Sequence, residues 1–223
     1  MINTERLRLA QAMEGYIQSE VERNHMRRVS EHCAFFAELL ETDESIKLDR
    51  DILIKAALVH DIAKKEYGED LHREKRYVRK VLRKTCRNVL RDEEIERISR
   101  IVHWHAGKKF CPKRDAFECA LLRMADKVDK YEKERDKLLK KQKKYIKSVK
   151  AIAEEMENDE LKRKKAVKKL RKDMPKKVCP AQIARQSCAK NLGIIEGSGA
   201  LDDKTFVALR SVVEKRLSYI GLL

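Results

Sequence analysis

Ala56-Ala57-Leu58-Val59-His60-Asp61-Ile62-Ala63-Lys64 is the stretch on which the reading of this chain turns. It closes a nearly continuous apolar run that begins at Ile52, so the helix expected from about Asp51 to Lys64 should be the central buried one. The run ends on an imidazole and a carboxylate side by side. A buried aspartate with no partner is expensive, and the run offers no salt-bridge partner; a bound metal ion would remove that cost. A lone His-Asp pair carries little weight. It gains weight from His25 upstream, from His72, His103 and His105 downstream, and from Asp126 on a second apolar stretch, Leu121-Leu122-Arg123-Met124-Ala125-Asp126. Mixed imidazole and carboxylate sets suit Mn, Fe, Co, Ni or Zn, whereas Mg prefers oxygen ligands throughout.

These residues, in their order and local contexts, resemble the HD superfamily of metal-dependent phosphohydrolases. Asn24-His25-Met26-Arg27-Arg28-Val29 is similar to the segment carrying the family's first ligand, Val59 to Lys64 to its defining doublet, and Met124-Ala125-Asp126 to its last ligand. Leu71-His72 and Trp104-His105-Ala106-Gly107 resemble the dinuclear branch that includes bacterial diadenosine tetraphosphate hydrolases. The resemblance covers about residues 20 to 133. It implies an all-α HD-domain helical bundle that binds one or two divalent transition-metal ions (Mn, Fe, Co or Ni). The ligands it implies are His25, His60, Asp61, His72, His105 and Asp126. It further implies hydrolysis of a phosphate ester or anhydride of a nucleotide, dinucleotide or nucleic acid by metal-activated water. In that scheme Asp61 bridges the metals or holds the water, and Lys64 and Arg28 stabilise phosphoryl charge. Lys64 has a second reading, as a solvated lysine complementing a helix C-terminus. Two histidines two residues apart point in different directions on a helix. One of His103 and His105 is therefore expected to be a ligand; the context favours His105 and leaves His103 as the alternate, lining the cleft.

Composition supports an all-α fold independently. Only 7 Gly and 3 Pro occur in 223 residues, with 42% hydrophobic and 40% charged residues, so turn formers are scarce and a core is possible under a heavily charged surface. No apolar run of about 18 residues is present, so no helix is expected to span a membrane. The first residues lack a signal-peptide core, and the six cysteines (33, 86, 111, 119, 179 and 188) include no CxxC pair. That combination is expected of reduced thiols in a cytoplasmic protein.

Charge divides the chain. Residues 134–223 hold 24 Lys and Arg against 12 Asp and Glu, so +12 of the net +16 lies there. We therefore expect an HD-type domain over 1–133 and a lysine-rich helical extension over 134–223. The excess suits a polyanion, RNA or DNA as well as a nucleotide; the plainer alternative is a solvated helical surface. The cluster Lys162-Arg163-Lys164-Lys165 with Lys168-Lys169 is its densest part. From Glu132 to Lys172 apolar positions are sparse, a thin stripe suited to packing on the first domain or on a second copy of the chain in a homodimer. A break is expected near Asn158-Asp159 and a stop at Pro175.

The remaining helices are expected over about 4–18, 19–40, 71–90, 92 to a C-cap at Gly107, from a cap at Asp115 through Lys130, 181–191 and 202–219, with His72 in the first turn of the third of these. His32 reads as a core or rim histidine. Asp129 is a candidate to support the site or act as a base, or else a surface aspartate paired with Lys133. Trp104 reads as core, with pocket wall or base stacking as alternatives. Lys108, Lys109 and Lys113 form a basic loop that could attract phosphate. The rival reading of the whole is a nucleic-acid-binding protein on a non-catalytic HD fold.

Overall fold

The structure, a computed structural model, describes residues 4–41, 46–155, 168 and 180–220. Among these, all regular elements are helices: α1 (Thr4–Tyr16), α2 (Glu20–Leu40), α3 (Arg50–Val59), α4 (Lys64–Leu71), α5 (Lys75–Thr85), α6 (Asp92–His103), α7 (Ala116–Val128), α8 (Lys130–Glu155), α9 (Pro180–Glu196) and α10 (Asp203–Tyr219). The all-α expectation holds. Most of Lys162-Arg163-Lys164-Lys165-Lys168-Lys169, the Asn158-Asp159 break and Pro175 lie outside the described residues.

α3 is the centre of the bundle. It packs on α1, α2, α6 and α7, and Leu53, Ala56, Ala57 and Val59 are fully buried. Asp49 caps it, its Oδ1 accepting from the Ile52 amide at 3.1 Å. Two adjacent alanines let neighbouring backbones approach closely. α2 starts at Ser19, whose Oγ accepts from the Glu22 amide. Its buried residues Val29, Cys33, Phe36 and Leu40 repeat at three- and four-residue steps, the period of one helix face.

One charged residue lies inside this core. Lys55 is 1% exposed, and its ammonium meets Glu94 at 2.6 Å, Glu5 at 2.7 Å and Asp51 at 2.7 Å. The triad of carboxylates ties α1 and α6 to the central helix. It holds Lys55 above the ordinary lysine range even though burial works in the opposite direction.

Two expected helices are cut differently. α3 ends at Val59 rather than Lys64, and His60 to Ala63 form a tight turn with bonds from the Ile62 amide to Val59 O and from the Lys64 amide to Asp61 O. Ile62 and Ala63 stay fully buried, which is why periodicity alone runs the helix through them. The helix expected over 71–90 is shorter, running from Lys75 to Thr85, and Leu71 instead ends α4. Gly68, at φ 70° inside α4, adopts the left-handed region that glycine enters at no steric cost. A new helix then begins at Lys75. His72 therefore caps the C-terminus of α4 instead of opening α5.

The chain forms two compact units, one within Met1–Asp129 and Ala184–Leu223, the other within Lys130–Ile183. The expected 134–223 extension thus divides. α10, capped by Asp202, buries Leu209, Val212, Val213 and Leu217 and packs on α2 and α7. That amphipathic face is why it belongs with the first unit. In the second unit α8 exposes Lys140, Lys141, Lys143, Lys144 and Lys147 together with Leu139 and Ile146. No helix among the described residues is long and apolar enough to cross a membrane.

Candidate metal centre

Five elements converge on one spot. α2 contributes His25, the turn after α3 contributes His60 and Asp61, the end of α4 contributes His72, the turn after α6 contributes His105, and α7 contributes Asp126. His25 Nε2 lies 3.4 Å from Asp126 Oδ1, 3.8 Å from Asp61 Oδ2 and 3.1 Å from His60 Nε2. His72 Nε2 and His105 Nε2 lie 3.4 and 3.8 Å from Asp61 Oδ1. Two sets of donor atoms result, His25-His60-Asp61 and Asp61-His72-His105, each within 4.8 Å of one another and sharing Asp61. Either set could hold a metal ion.

The fit of a cation follows from where the protons go. Each histidine turns Nδ1 toward an acceptor: Asp129 Oδ2 at 2.6 Å for His25, Ala57 O at 2.8 Å for His60, Gly68 O at 3.2 Å for His72 and Val102 O at 2.5 Å for His105. A carbonyl only accepts, so Nδ1 carries the proton and Nε2 presents a lone pair. The His25 and His60 lone pairs then face each other in a buried space, an arrangement that repels unless a cation lies between them. Burial disfavours a proton there: it pushes His60 down, against the pull of Asp61, and takes His105 down to about 3 with the help of His60. A divalent ion fits this donor set, and orientation of the ligating imidazoles by acceptors behind them is the expected support.

The acids complete the electrostatics. Burial works against ionisation of Asp61, yet the neighbouring imidazoles, His60 first and then the His72 bond, hold it below the carboxylate range. Asp126, partly buried, is likewise held low against desolvation, chiefly by Lys127, whose ammonium pairs with Oδ2, and by His25. His72 moves up: burial lowers it, and the Asp61 bond outweighs that.

Not every expected residue faces this cluster. Arg28 donates from Nε to Asp129 Oδ1 at 2.5 Å and from Nη2 to Oδ2 at 3.3 Å. Lys64 pairs with the exposed Glu69 at 2.6 Å. His103 turns away, its Nδ1 on Arg73 O at 3.2 Å and its ring against Trp104, so of the two adjacent histidines it is His105 that meets Asp61. Asp129 is fully buried behind His25 and Arg28, and is no surface aspartate. Lys127 was not singled out from sequence; its position beside Asp126 on a buried helix was the available signal. His32 is buried, as expected of a core histidine, with Nδ1 accepting from Arg216 Nε at 2.9 Å.

A family model described as HD domain matches residues 23–142, just over half of the chain. No curated protein and no solved structure matches it.

Proposed function

This chain belongs to the HD domain family, and from that membership we propose that it is a metal-dependent hydrolase of a phosphate ester or anhydride in a nucleotide, dinucleotide or nucleic acid. The observation that carries the reading is the pair of three-residue donor sets sharing Asp61, with two unprotonated imidazole nitrogens 3.1 Å apart. His25, His60, Asp61 and Asp126 would hold one ion, and Asp61, His72 and His105 a second. A bound divalent ion supplies Lewis acidity toward phosphate oxygens and acidifies water.

The chain's own residues set up that chemistry. Asp129 keeps the proton of His25 on Nδ1, and the carbonyls of Ala57 and Val102 do the same for His60 and His105. All three Nε2 atoms are thereby fixed as donors of electron pairs without any rearrangement. Asp61, held ionised, lies 3.4 Å from His72 Nε2 and presents its carboxylate to both sets. Lys64 stands three residues after Asp61 with its ammonium on a largely exposed carboxylate, Glu69. A substrate phosphate would have to take this ammonium from Glu69 for Lys64 to stabilise phosphoryl charge.

The test is elemental analysis of the purified protein and of Asp61→Ala, with a panel of nucleotides, dinucleoside polyphosphates and phosphodiesters assayed on the same samples in Mn, Fe, Co or Ni. Close to two transition-metal ions per chain, lost in the variant together with turnover, is the expected result. One ion would remove His72 and His105 from the ligand set. No metal and no turnover with any of the four ions would overturn the reading.

A further inference from the structure

Away from the donor cluster lies an open cavity of about 420 Å³ lined by Arg100, Trp104, Cys111, Lys113 and Arg114. Trp104 is the only tryptophan of the chain. It caps α6 one residue before His105, half-buried with its ring edge-to-face against His103 and Phe110.

The loop that forms the far wall is held from within. Arg123 is fully buried and spends its guanidinium on backbone: Nη2 donates to Gly107 O at 2.6 Å, and Nη1 to Trp104 O and Lys109 O at 3.3 Å each. Its Nε donates to Asn191 Oδ1 at 2.8 Å. Phe110 and Pro112 are buried. Asp115, at φ 52° the one non-glycine residue with positive φ among the described residues, is clamped by Arg97 at 3.0 Å and Arg100 at 2.9 Å. With Phe110 and Pro112 buried and Asp115 held by its two arginines, the intervening residues Cys111, Lys113 and Arg114 are exposed.

A loop that only connects two helices is ordinarily left mobile. Here a buried charge, costly to desolvate, fixes three of its carbonyls, which is the preorganisation a binding site requires. Asp115 is already engaged by two arginines. Lys113 and Arg114 meet no carboxylate among the described residues, so the rim carries uncompensated positive charge. An indole beside it offers a stacking surface for a planar ring. The volume lies in the range of small-molecule sites, about 300 to 1,000 Å³.

We propose that this cavity binds a nucleotide, with its phosphates on Lys113 and Arg114 and its base against Trp104. The proposal is independent of the phosphohydrolase reading, since the cavity contains none of the donor residues and the binding needs neither metal nor turnover. The single tryptophan supplies the assay: adenosine diphosphate is titrated into chelator-treated full-length protein, with Trp104 emission excited at the red edge where nucleobases do not absorb. Saturable quenching is expected. Adenosine and pyrophosphate should each bind at least about tenfold more weakly than the diphosphate, and the Lys113→Ala/Arg114→Ala double variant should lose a similar factor, consistent with two exposed charge contacts. Absence of saturable quenching, pyrophosphate binding as tightly as the nucleotide, or wild-type affinity in the double variant would each overturn the proposal. Turnover of the panel without quenching would sink this site and leave the hydrolase standing. Quenching without metal or turnover would do the reverse.

Discussion

Replacing Asp129 by Asn tests how far the metal centre depends on what lies behind it. Asp129 is fully buried and accepts from His25 Nδ1 at 2.6 Å and from Arg28 Nε at 2.5 Å and Nη2 at 3.3 Å. An Asn side chain keeps the shape but has one acceptor oxygen and one amide donor. It can satisfy His25 or Arg28, and it points N–H at the other. Breaking a buried ion pair from one side costs about 3–5 kcal/mol when both partners are dry. The Arg28 side chain is 24% exposed, so water rescues part of the guanidinium, and the expected loss of metal-free stability is about 2–3 kcal/mol. The His25 ring is no longer fixed with its Nδ1 proton behind, so metal affinity should fall by about 10- to 100-fold. Urea denaturation of chelator-treated protein reads the first quantity, and competition against a metallochromic chelator reads the second. The effect has a pH signature. The folded pKa of Asp129 is depressed, with burial opposing and the His25 and Arg28 bonds prevailing. Its contribution is present above the unfolded carboxylate value of about 4 and is lost as pH falls through the lower folded value. Wild type and Asp129→Asn should therefore converge in stability at strongly acid pH. An Asn variant with wild-type metal affinity and an unchanged urea midpoint at neutral pH would refute the reasoning.

Lys55→Ala removes the Lys55 bond to Glu94, whose side chain is 8% exposed and keeps Arg91 on its other oxygen, and should cost about 1–3 kcal/mol in urea, while Lys55→Met, which keeps the stem packed, should cost less. Metal-free protein should lose stability on acidification below about pH 6.5, because His105 and His32, lowered to about 3 and about 4 chiefly by burial, stay neutral in the fold while the unfolded chain takes up protons; at about pH 5.5 each contributes about 1.4 kcal/mol of loss. His72, raised by Asp61 against its burial, acts with the opposite sign, stabilising below the unfolded value and ceasing to as pH rises through its folded one, so a thermal melt series across pH 5 to 8 should be shallower than the two buried histidines alone would give. Arg123→Met should release the 107–115 loop, and trypsin cleavage after Lys109 or Lys113 should accelerate about tenfold, the equivalent of about 1.4 kcal/mol of local opening.

What sequence could and could not show divides along a physical line. The helices were legible wherever burial repeats at helical spacing, as in Val29, Cys33, Phe36 and Leu40 of α2. The histidines and the His60-Asp61 doublet were legible because an unpaired carboxylate at the end of an apolar run has few explanations. The breaks at His60 and Gly68 were not. At the first, Ile62 and Ala63 stay buried while the backbone tightens into a turn, so hydrophobicity continues where the helix does not. At the second, Gly68 turns the chain at positive φ, and the helix expected from residue 71 starts only at Lys75.

Lys55 and Arg123 were hidden, and the burial of Asp129 was left open between two readings, for a common reason. Each is a charge that periodicity assigns to solvent or passes over inside an apolar stretch, and each is 1% exposed or less. What makes its burial tolerable is a partner remote in sequence: Asp129 meets His25 across 104 positions, Arg123 meets Asn191 across 68, and Lys55 meets Glu94 across 39. No local pattern encodes such a partner, because the cost of desolvating the charge is settled only when the elements pack. These three residues also have a shared task. Asp129 orients an imidazole of the donor cluster, Arg123 fixes the loop that follows His105, and Lys55 ties α1 and α6 to the helix that ends at the doublet. The donor atoms were the legible part of the centre; the rigidity that would let them bind a metal without rearrangement is supplied by buried charges visible only in the fold.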